Sequence, residues 1–144
     1  MDIQIREFRI EDYYNLITLW ERAGLEHRPK GRDRREKIEK EHRQNNSVFL
    51  VAELNGELIG SVFGSYDGRK GWINRLAVNP DFRKKDIARK LVCEAEKRLD
   101  ELGIDIIACL IEGWNKDSMR VFEKLGYEKY PDVAYYTKRK NWDI

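Results

Sequence analysis

Apolar and polar positions change period several times along the chain, and each change marks an element. Residues 3–10, IQIREFRI, set Ile3, Ile5 and Phe8 in a strand-like run whose parity slips between Ile5 and Phe8. From Glu11 to Ala23 the period becomes helical, because Tyr13, Leu16, Ile17 and Trp20 fall on one face, and Gly24 stops the helix. Residues 26–46 hold almost nothing apolar beyond Ile38, which predicts a loop, then a mostly solvated helix from about Asp33, outside the core. SVFLVAEL (47–54) and ELIGSVFGSY (57–66) flank Asn55-Gly56. That pair is a hairpin signal, since both central residues must take positive φ. DGRKG (67–71) turns the chain into WINRLAV (72–78), completing an antiparallel meander of strands.

The next run, IARKLVCEAEKRLDELG, places Ala88, Leu91, Val92, Ala95, Leu99 and Leu102 on one helical face, with Gly103 as the stop. IDIIACLI (104–111) is almost continuously apolar, as for a strand covered on both sides. Strand, crossover helix and buried strand make a right-handed βαβ unit with its strands parallel. Asn115 or Asp117 caps a last helix whose Ser118, Val121, Phe122 and Leu125 share a face and which Gly126 ends. YEKY and VAYYTKR predict one or two closing strands. No repeat, low-complexity tract or linker interrupts the pattern, so residues 1–144 are expected to form one α/β domain with a mixed sheet.

Composition narrows the function classes. A chain of 144 residues can bury a core of its own without disulfides. Charged residues make up 38% yet the net charge is only +2, so the signs are interspersed. A nucleic-acid module needs a lopsided basic face instead. The N-terminal residues lack a signal-peptide pattern and no apolar run approaches about 18 residues, so a soluble cytoplasmic protein without membrane contact is expected. Cys93 and Cys109 fall on apolar faces without metal or redox spacing, which predicts core thiols and no metal site.

The chemistry concentrates at residues 79–90, NPDFRKKDIARK, where a strand gives way to a helix. A helix starting near Asp86 or Ile87 directs its unpaired N–H groups and positive dipole end at this turn, which suits an anion. Arg83, Lys84, Lys85 and Arg89 crowd the same turn although cations at a helix start oppose the dipole. A bound phosphate would reconcile the two.

The stretch RLAVNPDFRKKDIARKL resembles the cofactor motif of the GCN5-related N-acetyltransferases, the GNAT family. Leu76, Ala77 and Val78 stand for its strand triplet, Pro80 and Phe82 for its turn, Arg83 opens the loop and Ala88 closes it. Asn115, Ser118, Phe122, Gly126 and Tyr127 match a second family motif, and the resemblance runs from about residue 3 to residue 138. It implies a GNAT-like domain in which acetyl-coenzyme A, a co-substrate, lies where two parallel strands splay apart. The backbone of Leu76, Ala77 and Val78 would pair with pantetheine amides. The N–H groups of Lys84, Lys85, Asp86, Ile87, Ala88 and Arg89 would hold the pyrophosphate, and Asn115, Ser118 and Phe122 would line the thioester side. The implied reaction is direct attack of an amine on the thioester carbon, with a backbone N–H near Val78 stabilising the oxyanion.

Three positions depart from the family pattern. Asp86 replaces the usual glycine; aspartate tolerates left-handed geometry and its carboxylate can cap the helix, but its charge should weaken cofactor binding. Phe122 replaces the tyrosine that protonates the leaving thiolate in many relatives, leaving Tyr127, Tyr135, Tyr136 or solvent for that task. No glutamate lies in WINRLAV, where alternation puts Asn74 on the face of Leu76 and Val78 with Arg75 opposite. Asn74 would then orient an amine or a water, and Glu112 is the nearest candidate base. The acceptor is expected to be a small-molecule or protein amine, acidic if the cations of residues 28–43 face the cleft, and the chain a monomer or homodimer. The competing reading is a catalytically weak acyl-coenzyme A sensor or partner domain.

Overall fold

The computed structural model describes residues 2–144. Strand β1 (Gln4–Glu7) leads through a 3-10 turn into helix α1 (Tyr13–Ala23), and a loop joins it to α2 (Arg35–His42). Strands β2 (Ser47–Leu54), β3 (Glu57–Tyr66) and β4 (Gly71–Val78) follow, then α3 (Ile87–Asp100), β5 (Ile107–Cys109) and α4 (Lys116–Lys124). The sheet order is β1-β2-β3-β4-β5, antiparallel throughout except for the parallel β4–β5 pair. A meander followed by a βαβ unit in a mixed sheet is the expected architecture.

Local signals explain most boundaries. Asn55 and Gly56 take φ of 51° and 83°, the positive values that a two-residue hairpin requires. Gly24 ends α1 at φ 76°, its N–H bonding back to the carbonyl of Glu21. The sheet is packed on both faces. Against one lies α3, burying Ile87, Leu91, Val92, Ala95 and Leu99 with Leu50, Val62 and Ile73. Against the other lies α1, with Leu16 and Trp20 packed on Phe49 and Phe63, whose rings stack at 3.8 Å.

Five expectations are corrected. Helix α2 is solvated on most sides, yet Ile38 is only 1% exposed and belongs to the α1-side core, so one apolar residue suffices to seat it. Strand β5 pairs over three residues rather than eight, and Ile106 and Leu110 flanking it are 53% and 54% exposed. Helix α1 packs chiefly over β3 and β4, which leaves the side of β5 that carries Ile106 and Leu110 open. No closing strand forms among the described residues: 128–144 is irregular, with Val133, Tyr135 and Tyr136 exposed. Aromatic alternation holds a strand only where a packed neighbour receives it. Finally, Cys93 and Cys109 are half-buried instead of core, and Leu102 lies past the end of α3, exposed.

Candidate active site

The parallel strands part early. β4 and β5 pair at Gly71–Ile107, Trp72–Ala108 and Ile73–Cys109, and no pairing continues beyond Ile73. Along Leu76–Val78 the β5-facing edge of β4 therefore carries no strand partner among the described residues. The gap opens into a cleft of about 990 Å³ between this edge, the loop before α3 and the start of α4. Every residue that the sequence nominates for the cofactor lines it except Lys85, which is exposed, and Phe122, which lines the adjoining cavity.

The loop is shaped to present donors. Lys84 and Asp86 both take left-handed backbone, φ 65° and 66°, an arrangement in which successive amides converge on one point. The backbone N–H groups from Lys84 to Arg89 find no acceptor within the described residues, and the first helical bond runs from Lys90 N–H to the Asp86 carbonyl. Asp86 keeps the turn but does not cap it with its side chain, as one expectation had it. Its carboxylate instead accepts from Arg89 one turn on, and that hydrogen bond holds it below the usual carboxylate range. An array of unsatisfied amides above an unpaired strand edge matches the donor needs of a long, polyanionic thioester, so the residues fit the cofactor that the resemblance implies.

Beside the cleft lies a second cavity of about 660 Å³, sharing Leu25, Leu76, Asn115 and Ser118 with it. Asn115 sits there because its side-chain oxygen accepts from the Ser118 N–H at 3.2 Å, capping α4. Phe122 is 4% exposed and also faces this cavity. Asn74 and Glu112 line it as well, but Asn74 does so for a reason that alternation misses. Ser61 pairs with Ala77 and Phe63 with Asn74, so Arg75 and Leu76 together oppose Val62 in a β-bulge, with Arg75 at φ 55°. The extra residue shifts parity, and Asn74 shares the face of Phe63 rather than that of Leu76 and Val78.

Tyr127 lines neither cavity; its hydroxyl donates to Glu96 at 2.7 Å, and its ring meets Phe122 edge-on. Burial first, and that hydrogen bond second, push its phenol above the ordinary range. Tyr135 reaches the second cavity and Tyr136 does not. Of the cations in residues 28–43 only Arg32 lines it, joined by Arg75 and Arg139 from elsewhere in the chain and facing Glu26, Asp33, Glu41 and Glu112. Glu41, open to solvent on one side, has its carboxyl pushed up by the protein around it and then by Asp33. Sequence reasoning missed Glu41 and the buried pair that Arg75 makes with Asp33 at 2.9 Å. The available signal for the pair was Arg75 itself, a lone charge within an apolar strand.

The model of the acetyltransferase (GNAT) family matches residues 5–127. The chain belongs to this family. An acetyltransferase of Sodalis glossinidius (strain morsitans) is 39% identical over 137 residues, covering 95% of each chain. Among solved structures, the PaiA N-acetyltransferase of Thermoplasma acidophilum, in complex with coenzyme A, superposes with a TM-score of 0.79 at 24% identity, over 89% of this chain and 91% of that one. The aminoglycoside N-acetyltransferase AAC(6')-Iy, bound to a coenzyme A–acetylneamine bisubstrate analogue, gives 0.80 at 20% identity over 96% and 99%. These two share the fold. As a GNAT member the chain is an acyltransferase with acetyl-coenzyme A as co-substrate. Among the described residues no cluster of His, Cys, Asp and Glu is arranged to hold a metal, and no helix is long and apolar enough to cross a membrane.

Proposed function

We propose that this enzyme moves the acetyl group of acetyl-coenzyme A to a primary amine by direct attack within a ternary complex. The observation that carries the reading is the junction of the two cavities at Leu76, Asn115 and Ser118. A thioester held in the first and an amine held in the second would meet there, so both substrates can be bound at once. The free edge at Leu76–Val78 supplies backbone donors for the oxygen that gains charge, and positioning accounts for much of the rate. A covalent relay has little support: Cys109 is the one thiol lining the second cavity, and burial pushes it up to about 11.

The acceptor is a small-molecule amine in this reading. A cavity of about 660 Å³ lies within the size range of small-ligand sites, and one structural neighbour is an aminoglycoside acetyltransferase. Asn74 and Glu112 orient the amine and accept its proton, and solvent protonates the leaving thiolate because Phe122 cannot.

Coenzyme A release, followed with a thiol reagent across neamine, 1,4-diaminobutane, a glycyl peptide and a lysyl peptide, tests the proposal. Intersecting double-reciprocal lines with a small amine are expected. Parallel lines would overturn direct attack, peptide-only turnover would overturn the small-molecule acceptor, and tight coenzyme A binding without any turnover would favour an acyl-coenzyme A sensor.

A further inference from the structure

The segment between α1 and α2 supplies the wall of the second cavity through Leu25, Glu26, Arg32 and Asp33, yet residues 25–34 contain no helix or strand. One side chain ties this wall to the sheet. The Arg75 guanidinium pairs with Asp33 Oδ2 at 2.9 Å, donates to the Glu26 carbonyl, and lies 4.8 Å from the centre of the Trp20 ring. The paired side chains are only 15% and 7% exposed. Asp33 is fixed in turn, because its carboxylate accepts from the Arg28 N–H at 2.6 Å and its carbonyl from the Tyr13 hydroxyl at 2.6 Å.

The sheet end of the tie is equally fixed. Ser61 Oγ donates to the Arg75 carbonyl at 2.8 Å and accepts from Trp20 Nε1 at 3.0 Å, so Trp20 holds both the backbone of the bulge and, through its ring, the guanidinium. The bulge that places Leu76 at the junction of the cavities therefore also aims Arg75 at the loop. Burial pulls the guanidinium down from its ordinary range and Asp33 opposes that, so each charge needs the other.

We propose that Arg75 and Asp33, neither of which lines the cofactor cleft, are positioning residues that lock residues 25–34 to the β4 bulge and so set the shape of the acceptor cavity. The lock itself is independent of the catalytic reading; its effect on turnover rests on the second cavity being the acceptor site.

Arg75→Met, Arg75→Lys and Asp33→Asn in the full chain test it. Amide hydrogen exchange across residues 25–34 should accelerate about tenfold or more in Arg75→Met and Asp33→Asn while β2 and β3 stay protected. Calorimetry should find coenzyme A affinity within about twofold of the wild type, and KM for 1,4-diaminobutane should rise about tenfold with a smaller change in kcat. Arg75→Lys should recover part of the protection, because an ammonium reaches Asp33 without the fork that also serves Glu26. Should Arg75→Met fail to fold, Asp33→Asn, which keeps the shape of the side chain, carries the test. Unchanged exchange in residues 25–34 would overturn the lock whatever the kinetics. If the wild type bound no coenzyme A, the reading of the cleft would fall while the exchange result would still decide the lock.

Discussion

Asp86 and Arg89 form an ion pair inside the loop that faces the cofactor cleft, Arg89 Nε lying 2.9 and 2.8 Å from the two carboxylate oxygens. The acid that stands in place of glycine is thus neutralised by its neighbour, and that neighbour is withheld from a phosphate. Asp86→Gly keeps the left-handed backbone and frees Arg89, so coenzyme A affinity should rise by about fivefold, the scale of one exposed ion pair. Arg89→Ala should weaken binding, and more in the Asp86→Gly background than in the wild type. Calorimetric titration of the four variants completes the cycle. Unchanged or lower affinity in Asp86→Gly would show that Asp86 does not repel the cofactor.

Phe122 and Tyr127 are neighbours with opposite expectations. The Tyr127 hydroxyl is committed to Glu96, outside both cavities, so Tyr127→Phe should leave kcat unchanged and cost about 1 kcal/mol of stability in chemical denaturation. Phe122→Tyr would add a hydroxyl beside Asn115 and Ser118 in the second cavity, where it can serve the leaving thiolate. An increase in kcat of about tenfold or more is expected. A tenfold loss in Tyr127→Phe would return Tyr127 to the list of proton donors.

What was legible in the sequence followed from local chemistry. Asn55-Gly56 dictated a turn, Gly24 a helix stop, and the apolar spacing from Ile87 to Leu99 the buried face of α3. The cofactor loop was legible because donors, cations and left-handed positions are consecutive residues there. The second cavity was not, because Glu26, Asp33, Glu41, Asn74 and Glu112 come from separate elements and meet only after the chain folds. The bulge at Arg75 leaves no pattern of its own, yet it reverses which face Asn74 occupies. Residues 128–144 show the converse: alternation is present, but no layer receives it.

Gly60 sets how closely α3 approaches the sheet. A Cβ there would stand 2.9 Å from Leu91 Cδ1 and 3.2 Å from Ile87 Cγ2, both on the turns of α3 that follow the cofactor loop. Gly60→Ala should therefore lower stability by about 1–3 kcal/mol and weaken coenzyme A binding together, as the helix start is displaced. A thermal melt and a titration on the same sample check the pairing. Full stability with full affinity would show that the side chains yield without moving the helix.

Cys109 should alkylate slowly at ordinary pH. Burial pushes its thiol up to about 11, so the reactive thiolate is about a thousandth of the population at pH 8. In a Cys93→Ser background, the rate with iodoacetamide should climb with pH and reach half of its plateau only near pH 11. A plateau by pH 9 would mean that the thiol is far more solvated than its position beside the cavity allows.

Asp12 should make stability depend on acid. Burial alone would raise its carboxyl, but Arg6 grips both oxygens at 2.9 Å and the Arg9 N–H donates at 2.8 Å, and together they bring it below its ordinary value. A carboxyl depressed in the folded state binds protons more weakly there than in the unfolded chain, whose value is about 3.9. Its contribution is therefore complete above that pH and is lost as pH falls through the lower folded value. Asp12→Asn removes the titration and one side of the Arg6 fork, costing about 1–3 kcal/mol at neutral pH. Urea unfolding of both proteins between pH 7 and pH 2.5 should show a gap that is constant down to about pH 5 and closes below about pH 4. A gap that stays the same at pH 2.5 would assign the loss to packing rather than to the ion pair.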